Sequence, residues 1–457
     1  MADLMLNLIQ NVLKTKYGDL PDEAIDYAKR SVLDIIGATI AGSTADGCKA
    51  VVDQVKEWGG KEESTIPVYG GKVPMPFAGM AMAPMARARE LGDIHPGGSH
   101  ISEYIIPTAL PIAECRGGIS GKEFITAIAL GQDMGIRLRQ SLPTAFSFPF
   151  FDLVKVFAAT ATAAKLFHLD EDTMYNAMGI AFSQASAEGQ SVRDGMLTVR
   201  IFYGFVACNA IVSVLLAQRG ITGAKNILEG ELGLYKGFPG HDVKAITSEL
   251  GKRFEGAYTC MKAYSCCIHT HAAINATIDL VKENNIKPQD VDEIDVGVGE
   301  RPYELCGQPR EAKINPKTII DCQFSIPYTV ATAVVKKNVW LEDFTEEAIR
   351  RPDIRELMRK INSRLAPEVV KPDFTYIGGA AVTIKTRDGK KHSKTIYYIK
   401  GHPKNPLTMD ELTEKLKSCL PYSAKPFLMK KIEQITEMVR ELEKVDDVDE
   451  IARLIVP

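Results

Sequence analysis

The sequence predicts a mainly α-helical protein with a smaller α+β unit: a large all-helical domain plus an α+β domain between its two parts. Three observations carry this. From Leu4 to near Tyr264 almost every segment repeats apolar or small residues at helical spacing. Beyond it, two alternating runs flank Asp388-Gly389, a strong hairpin signal. After residue 404 the helical pattern returns, opened by the capping box Thr408-Met-Asp-Glu411. The expected organisation is therefore 1–265 as the first helical part, 266–403 as the α+β unit, and 404–457 as a C-terminal helical part that docks back on the first.

In chain order, Leu4–Lys16 reads as a helix. Pro21–Gly42 is a second, with Asp22 and Glu23 suited to its first turn and a small-residue end that should be buried. Ala45–Trp58 is amphipathic. Glu62–Val73 is a polar turn region with a strand-like piece, Thr65–Tyr69. Helices follow at Phe77–Ala88, Ile105–Ala113, Gly121–Leu142, Asp152–Phe167, Asp170–Ala187 (Asp170 as N-cap) and Thr198–Arg219. Strands are expected at Val291–Val298, Ala380–Arg387 and His392–Lys400. Helices are expected at Phe324–Lys336, Thr345–Leu365, Thr408–Cys419 and Ala424–Leu442.

Composition narrows the function classes. The chain has 457 residues, 45% hydrophobic and 25% charged, which is ordinary for a globular protein. A net charge of -3 argues against a nucleic-acid binder, which needs a basic face, yet leaves room for a local cationic pocket. Nine scattered cysteines without a CxxC read as reduced thiols of a cytoplasmic protein. The N-terminus lacks the pattern of a secretory signal. The longest apolar run, Val206–Ala217, is too short and too polar to span a bilayer, so no membrane is expected.

The stretch around which the chain is organised is Arg89-Glu-Leu-Gly-Asp-Ile-His-Pro-Gly-Gly-Ser-His-Ile-Ser-Glu-Tyr-Ile-Ile-Pro107. Its glycines and prolines break helix and bend the backbone. Asp93, His95 and His100 can thus sit together on a loop between two buried helices, as an acid/base set or as a polar turn that happens to carry histidines.

Several segments, in order and spacing, carry a resemblance over nearly the whole chain. They are Leu33-Asp-Ile-Ile-Gly with Ala41-Gly42, Gly131-Gln-Asp-Met-Gly-Ile-Arg137, Met174–Ala187, Lys262-Ala-Tyr-Ser-Cys-Cys-Ile-His-Thr-His271, Gln323-Phe-Ser-Ile-Pro-Tyr328 and Gly401-His-Pro-Lys-Asn-Pro-Leu-Thr408. Together they resemble the MmgE/PrpD family of 2-methylcitrate dehydratase, cis-aconitate decarboxylase and iminodisuccinate epimerase, of which this looks like a divergent branch. The resemblance implies a helical domain built from both chain ends, an inserted lid, and an active site in the cleft. It further implies homodimers, no metal or organic cofactor, and small polycarboxylates as substrates.

Departures accompany it. The family's acidic run appears as Glu90-Leu-Gly-Asp93-Ile94, with Asp93 kept. Its lysine and histidine are lost from Val199-Arg200-Ile-Phe202-Tyr-Gly204, its His-Pro-Thr is replaced by Phe148-Pro-Phe-Phe151, and Cys267 falls where the decarboxylase branch has a catalytic histidine.

Dehydration, decarboxylation and epimerisation all place carbanion character beside a carboxylate. Each needs a base, and cations or donors for the developing oxyanion. The resemblance implies a catalytic set of Asp93, His100, Tyr328, Cys267 and His269. His100 is the first choice as base or acid. Asp93 orients a histidine, titrates itself, or caps the next turn. Tyr328 donates a proton or is a core aromatic with a buried partner. For gripping the substrate the expectation is His95, Arg137, Arg200, Lys262 and His271, the arginines by their bidentate fork or as solvated helix residues. Cys266, Cys267, His269 and His271 also admit metal-site and Cys-His nucleophile readings, both minor. The expected activity is a 2-methylcitrate- or citrate-dehydratase-like lyase. A decarboxylase, an epimerase or a non-catalytic acid-binding member are the alternatives.

Overall fold

The structure, a computed structural model, describes residues 3–143, 153–186, 190–194 and 196–457. The chain forms two compact units. One runs to Thr259 and resumes at Thr408; the other is Cys260–Leu407.

The first unit is helical because its segments can bury one face after another. α1 (Leu4–Lys14) is capped by Asp3, which accepts from the Leu6 N–H, and buries Leu4, Met5, Leu8, Ile9 and Val12. α2 (Asp22–Gly42) opens after Pro21 with two acids in its first turn, where they meet the positive helix end. Its second half is wholly buried. α3 (Cys48–Trp58) leads to a small antiparallel pair, β1 (Ser64–Thr65) and β2 (Lys72–Val73), with Ser64 opposite Val73. The strand-like piece expected over Thr65–Tyr69 is thus mostly the connecting turn, in which the Ile66 N–H reaches the Gly71 carbonyl.

α4 (Met75–Arg87), α5 (Ser102–Arg116), α6 (Gly121–Ser141), α7 (Lys155–Leu166), α8 (Glu171–Ser183), the short α9 (Gln190–Asp194), α10 (Thr198–Ala217) and α11 (Val243–Thr247) complete this part. The start expected at Asp152 and the end expected at Ala187 lie outside the described residues.

Helices α4, α5, α7 and α10 pack on one another, with α2 against α4 and α6. Small residues permit the close approach: a Cβ at Gly42 would lie 1.8 Å from the Met85 carbonyl oxygen of α4. α10 is longer than the apolar run the sequence marks. By length and mean hydropathy (1.9) it is apolar enough to cross a membrane, yet 56% of that stretch is buried in the fold.

The second unit holds a four-stranded sheet in the order β4-β3-β5-β6. Its members are β3 (Val291–Val298), β4 (Ile361–Leu365), β5 (Ala380–Thr386) and β6 (Lys391–Ile396). β5 and β6 form the hairpin expected around Asp388-Gly389, and β5 also pairs antiparallel with β3, Val296 opposite Val382. Helix α12 (His271–Glu283) covers β5 and β6. The short α13 (Glu300–Pro302), α14 (Arg310–Ile314) and α15 (Ile319–Gln323) lead into α16 (Ile326–Lys336), which packs on α12.

One expectation is overturned here: Thr345–Leu365 is not one helix. A 3₁₀ turn (Ala348–Arg350) precedes α17 (Pro352–Met358), and the last five residues are β4, parallel to β3 with Ile294 opposite Ile361. Pro352 fixes the start of α17. The exposed edge of β3 offers the next residues a ladder that a further helical turn would forgo.

From Thr408 the chain rejoins the first unit through α18 (Met409–Cys419), α19 (Met429–Arg440) and α20 (Asp449–Leu454). α18 lies on α2. There the buried Lys415 ammonium donates to Asp34 Oδ1 (2.6 Å) and to the Leu91 carbonyl (3.0 Å).

Candidate functional site

In the helical unit the loop between α4 and α5 folds tightly because Gly98 takes a positive φ of 83°. The His95 N–H can then reach the Ser99 carbonyl (2.8 Å), and the Gly98 N–H the His95 carbonyl (2.7 Å). Asp93 is 1% exposed and accepts four protein donors. These are the Tyr27 hydroxyl (2.5 Å), the Ser102 hydroxyl, and the backbone N–H groups of Ile101 (3.3 Å) and Ser102 (3.0 Å). Its carboxylate is thereby a cap at the start of α5 and a post for the loop. Burial, then the charge of Asp93, pushes the Tyr27 phenol well up, so it stays a donor.

The Asp93 backbone carbonyl accepts from His100 Nδ1 (2.8 Å). A carbonyl can only accept, so Nδ1 carries the proton, and in the neutral ring the lone pair is then on Nε2. The His100 side chain is 17% exposed, and its Nδ1 lies 3.6 Å from Glu103 Oε2. His95 differs. Its Nδ1 accepts from the Gly97 N–H (2.9 Å), and its Nε2 stands 3.9 Å from Glu255. Burial first, then Arg253 and Arg139, holds its pKa down to about 3. Neutral and tied to its own loop, His95 staples the turn and offers no positive charge to a carboxylate.

Behind His100 lies a buried group of charges and rings. Arg87 Nε is 3.5 Å from Glu103, and Arg87 also pairs with Glu90. The Arg87 guanidinium sits 5.5 Å from the Tyr203 ring centroid. Lys155, 2% exposed, donates to the Tyr203 hydroxyl (2.7 Å) and lies 4.1 Å from that ring's centroid, 5.7 Å from Tyr104's and 6.0 Å from Phe202's. Lys155, Arg87, Glu103 and Tyr203 were missed by sequence reasoning. The available signal was a lone lysine opening an Ala/Thr-rich core helix.

Two other expected contacts resolve differently. Arg137 is 1% exposed with its donors committed within the fold: Nε to both Asp133 oxygens (2.9 Å each), and the terminal nitrogens to the carbonyls of Ser248 (2.8 Å) and Arg253 (2.7 Å). It clamps the 245–255 segment. Arg200 donates to the Asp46 carbonyl (2.7 Å), which ties α10 to the α2–α3 turn. Phe148–Phe151 lie outside the described residues.

In the inserted unit, Tyr328 is 0% exposed and its hydroxyl donates to the Asp343 carbonyl; burial raises its pKa further. The residue opens α16 and packs against Phe344, centroids 5.8 Å apart. That is the core-aromatic alternative. Cys267 is buried; its N–H reaches the Gln323 carbonyl (3.0 Å), and its thiol is hydrogen-bonded with that of Cys306, which burial pushes well up. Buried and hydrogen-bonded to a second thiol, Cys267 lacks the solvent exposure of reactive cysteines. His271 is fully buried at the start of α12, edge-on to Tyr264 at 5.1 Å. Lys262 is 1% exposed and His269 is 4% exposed. Among the described residues, no three His, Cys, Asp or Glu side chains converge as metal ligands.

Comparison with known proteins agrees over most of the chain. Residues 7–246 match the MmgE/PrpD N-terminal domain and residues 264–447 the MmgE/PrpD C-terminal domain. A cis-aconitate decarboxylase-like protein of Aspergillus oryzae is 24% identical, over 97% of this chain and 95% of its own. Cis-aconitate decarboxylase of Aspergillus terreus is 24% identical over 96% and 92%. That of Homo sapiens is 23% identical over 96% and 92%.

Proposed function

This chain belongs to the MmgE/PrpD family, and we propose that within it the protein is a cofactor-independent hydro-lyase acting on a small di- or tricarboxylate. The lyase class is supported by the relatives, which bear the names of carboxy-lyases. The single observation that carries the reading is His100, fixed by the Asp93 carbonyl with its lone pair on Nε2.

That nitrogen takes the proton from the carbon beside the substrate carboxylate. The electron pair left behind expels the β-hydroxyl, which departs as water with the Tyr203 proton. Lys155, bonded to the Tyr203 oxygen, stabilises the phenolate so formed. Solvent returns the proton from His100 to Tyr203, and the product is the unsaturated acid. The buried charge of Lys155 and Arg87 opposes that of the substrate, as Val199 no longer can. Dehydration is favoured over decarboxylation because Cys267 stands in place of the decarboxylase branch's histidine. Decarboxylation is the second reading, and the names of the relatives favour it.

The test is proton NMR in D₂O with citrate, 2-methylcitrate, cis-aconitate, isocitrate, malate and aspartate-derived acids. Olefinic signals from a hydroxy acid are expected. Loss of CO₂ from cis-aconitate would establish the second reading instead, and α-deuteration without net conversion would mean an epimerase. Silence across the panel would refute a lyase of these acids. His100→Ala should abolish turnover and leave the fold intact; retained turnover removes His100 from the role given to it.

A further inference from the structure

The helical unit buries a second carboxylate beside His100. Glu103 lies three residues on, in the first turn of α5, and its side chain is 0% exposed. Its Oε2 is 3.6 Å from His100 Nδ1 and 3.5 Å from Arg87 Nε. The Nδ1 proton goes to the Asp93 carbonyl at 2.8 Å, so Glu103 meets the ring as a charge and not as its hydrogen-bond acceptor. Gly92 makes room for it: a Cβ there would lie 2.1 Å from Glu103 Oε1. A buried carboxylate is costly unless paired. Arg87 of α4 supplies the pairing but is shared with Glu90, so the three carry one negative charge more than they cancel. The other charged and titratable groups of the cluster are Lys155 of α7, Tyr104 of α5 and Tyr203 of α10. The Asp93 carboxylate is turned away, to Tyr27, Ser102 and the start of α5.

We propose that Glu103 is a positioning residue for His100: its charge holds the Nδ1–H edge inward and raises the proton affinity of Nε2, while Arg87 keeps the carboxylate ionised. An opposite charge within about 4–6 Å favours the charged form of a titrating group. The ring therefore takes a proton at Nε2 more readily than the carbonyl alone would allow. The imidazolium so formed is met by an anion already in place, with no solvent to reorganise. No proton passes to Glu103, because Nδ1 lies beyond hydrogen-bond distance and Arg87 opposes protonation of the carboxylate. The same charge repels an anionic substrate, so Glu103 assists the proton transfer and weakens binding. The assignment rests on the reading of His100 as the base.

The experiment follows the His100 ring by NMR in the full chain without substrate, its signal assigned by its loss in His100→Gln, and the pH profile of turnover alongside. Glu103→Gln keeps the shape and removes the charge. Its His100 titration midpoint should fall by about one unit or more. The acid limb of kcat/KM should move down by the same amount. The value of kcat should fall about three- to tenfold, following the lost basicity, and KM should hold or drop. Lost packing alone would raise KM and leave the midpoint where it was, and that result overturns the role. Glu103→Asp keeps the charge balance with Arg87 and draws the carboxylate back by one methylene. Its midpoint should fall by a smaller amount; a midpoint equal to the parent's refutes the role, including where the glutamine variant fails to fold. A shifted midpoint in Glu103→Gln with no turnover of any acid by the parent keeps the role of Glu103 and removes the lyase reading. Turnover with an unmoved midpoint does the reverse.

Discussion

Lys155→Met is the most informative single perturbation of the helical unit. Methionine matches the length of the lysine stem and fills the space among Tyr104, Phe202 and Tyr203. It removes only the ammonium, which is 2% exposed and 2.7 Å from the Tyr203 oxygen. Two terms act on stability in opposite directions. The charge-assisted bond and the ring contact are lost, at about 1.5–3 and about 2 kcal/mol. Relief of a buried charge returns several kcal/mol. The net shift in stability is therefore small.

The effect on catalysis has no such offset. The ammonium steadies a phenolate that exists only after proton transfer, and loss of one such group costs about 10²–10³ in kcat. That corresponds to about 2.7–4 kcal/mol at 1.36 kcal/mol per decade. The assay is single-turnover NMR on the acid that the panel identifies, with thermal unfolding measured in parallel. A variant that melts within a few degrees of the parent and loses at least a hundredfold fits the mechanism. A variant that folds and keeps activity within threefold refutes the role of Lys155 and, with it, that of Tyr203 as acid.

Two further outcomes test the reading of individual groups. Tyr328→Phe should cost about 1–3 kcal/mol in urea unfolding, because the Asp343 carbonyl loses its buried donor. It should leave kcat nearly unchanged, and a hundredfold loss of kcat at unchanged stability would return Tyr328 to the catalytic set. Acid should destabilise the fold early. His95 has its pKa lowered from 6.5 to about 3, so between those values the unfolded chain binds a proton that the native state refuses. Stability contributed by this group is complete above pH 6.5. It falls by about 1.4 kcal/mol per unit as pH drops toward 3. Urea midpoints at pH 7 and pH 5 should differ accordingly, and His95→Gln should remove only its own share, because His269 and His402 are also lowered, to about 3 and about 4; a pH 7 to pH 5 difference equal to the parent's would mean His95 is already charged in the fold.

What could be read from residues alone depended on how local the cause was. Helices such as Asp22–Gly42 and the hairpin at Asp388-Gly389 are dictated by neighbours within a few positions, and both were legible. β4 was not, because Ile354, Leu357, Met358 and Ile361 keep helical spacing while the reason for extending at Ile361 is a strand nearly seventy residues earlier. The loop carrying Asp93 and His100 was legible from its glycines and prolines. Which of its groups face inward was not: His95 and His100 look alike in sequence, and only the structure shows one tied to its own loop and the other held by the Asp93 carbonyl. The partners of Arg137 and Tyr328 were hidden for the same reason, since a residue type does not disclose who accepts its hydrogen bonds. Lys155 was undervalued because one lysine in an Ala/Thr helix reads as a surface residue.

The pairing of Lys415 with Asp34 has a consequence for biosynthesis. The two partners are 381 residues apart. A ribosome adding about 5–20 residues per second therefore leaves the α18-facing side of α2 uncovered for about 20–80 s. Throughout that interval an apolar helix carrying an inward-facing carboxylate waits while the sheet-bearing unit is made and folded. The helical unit closes last although it is begun first.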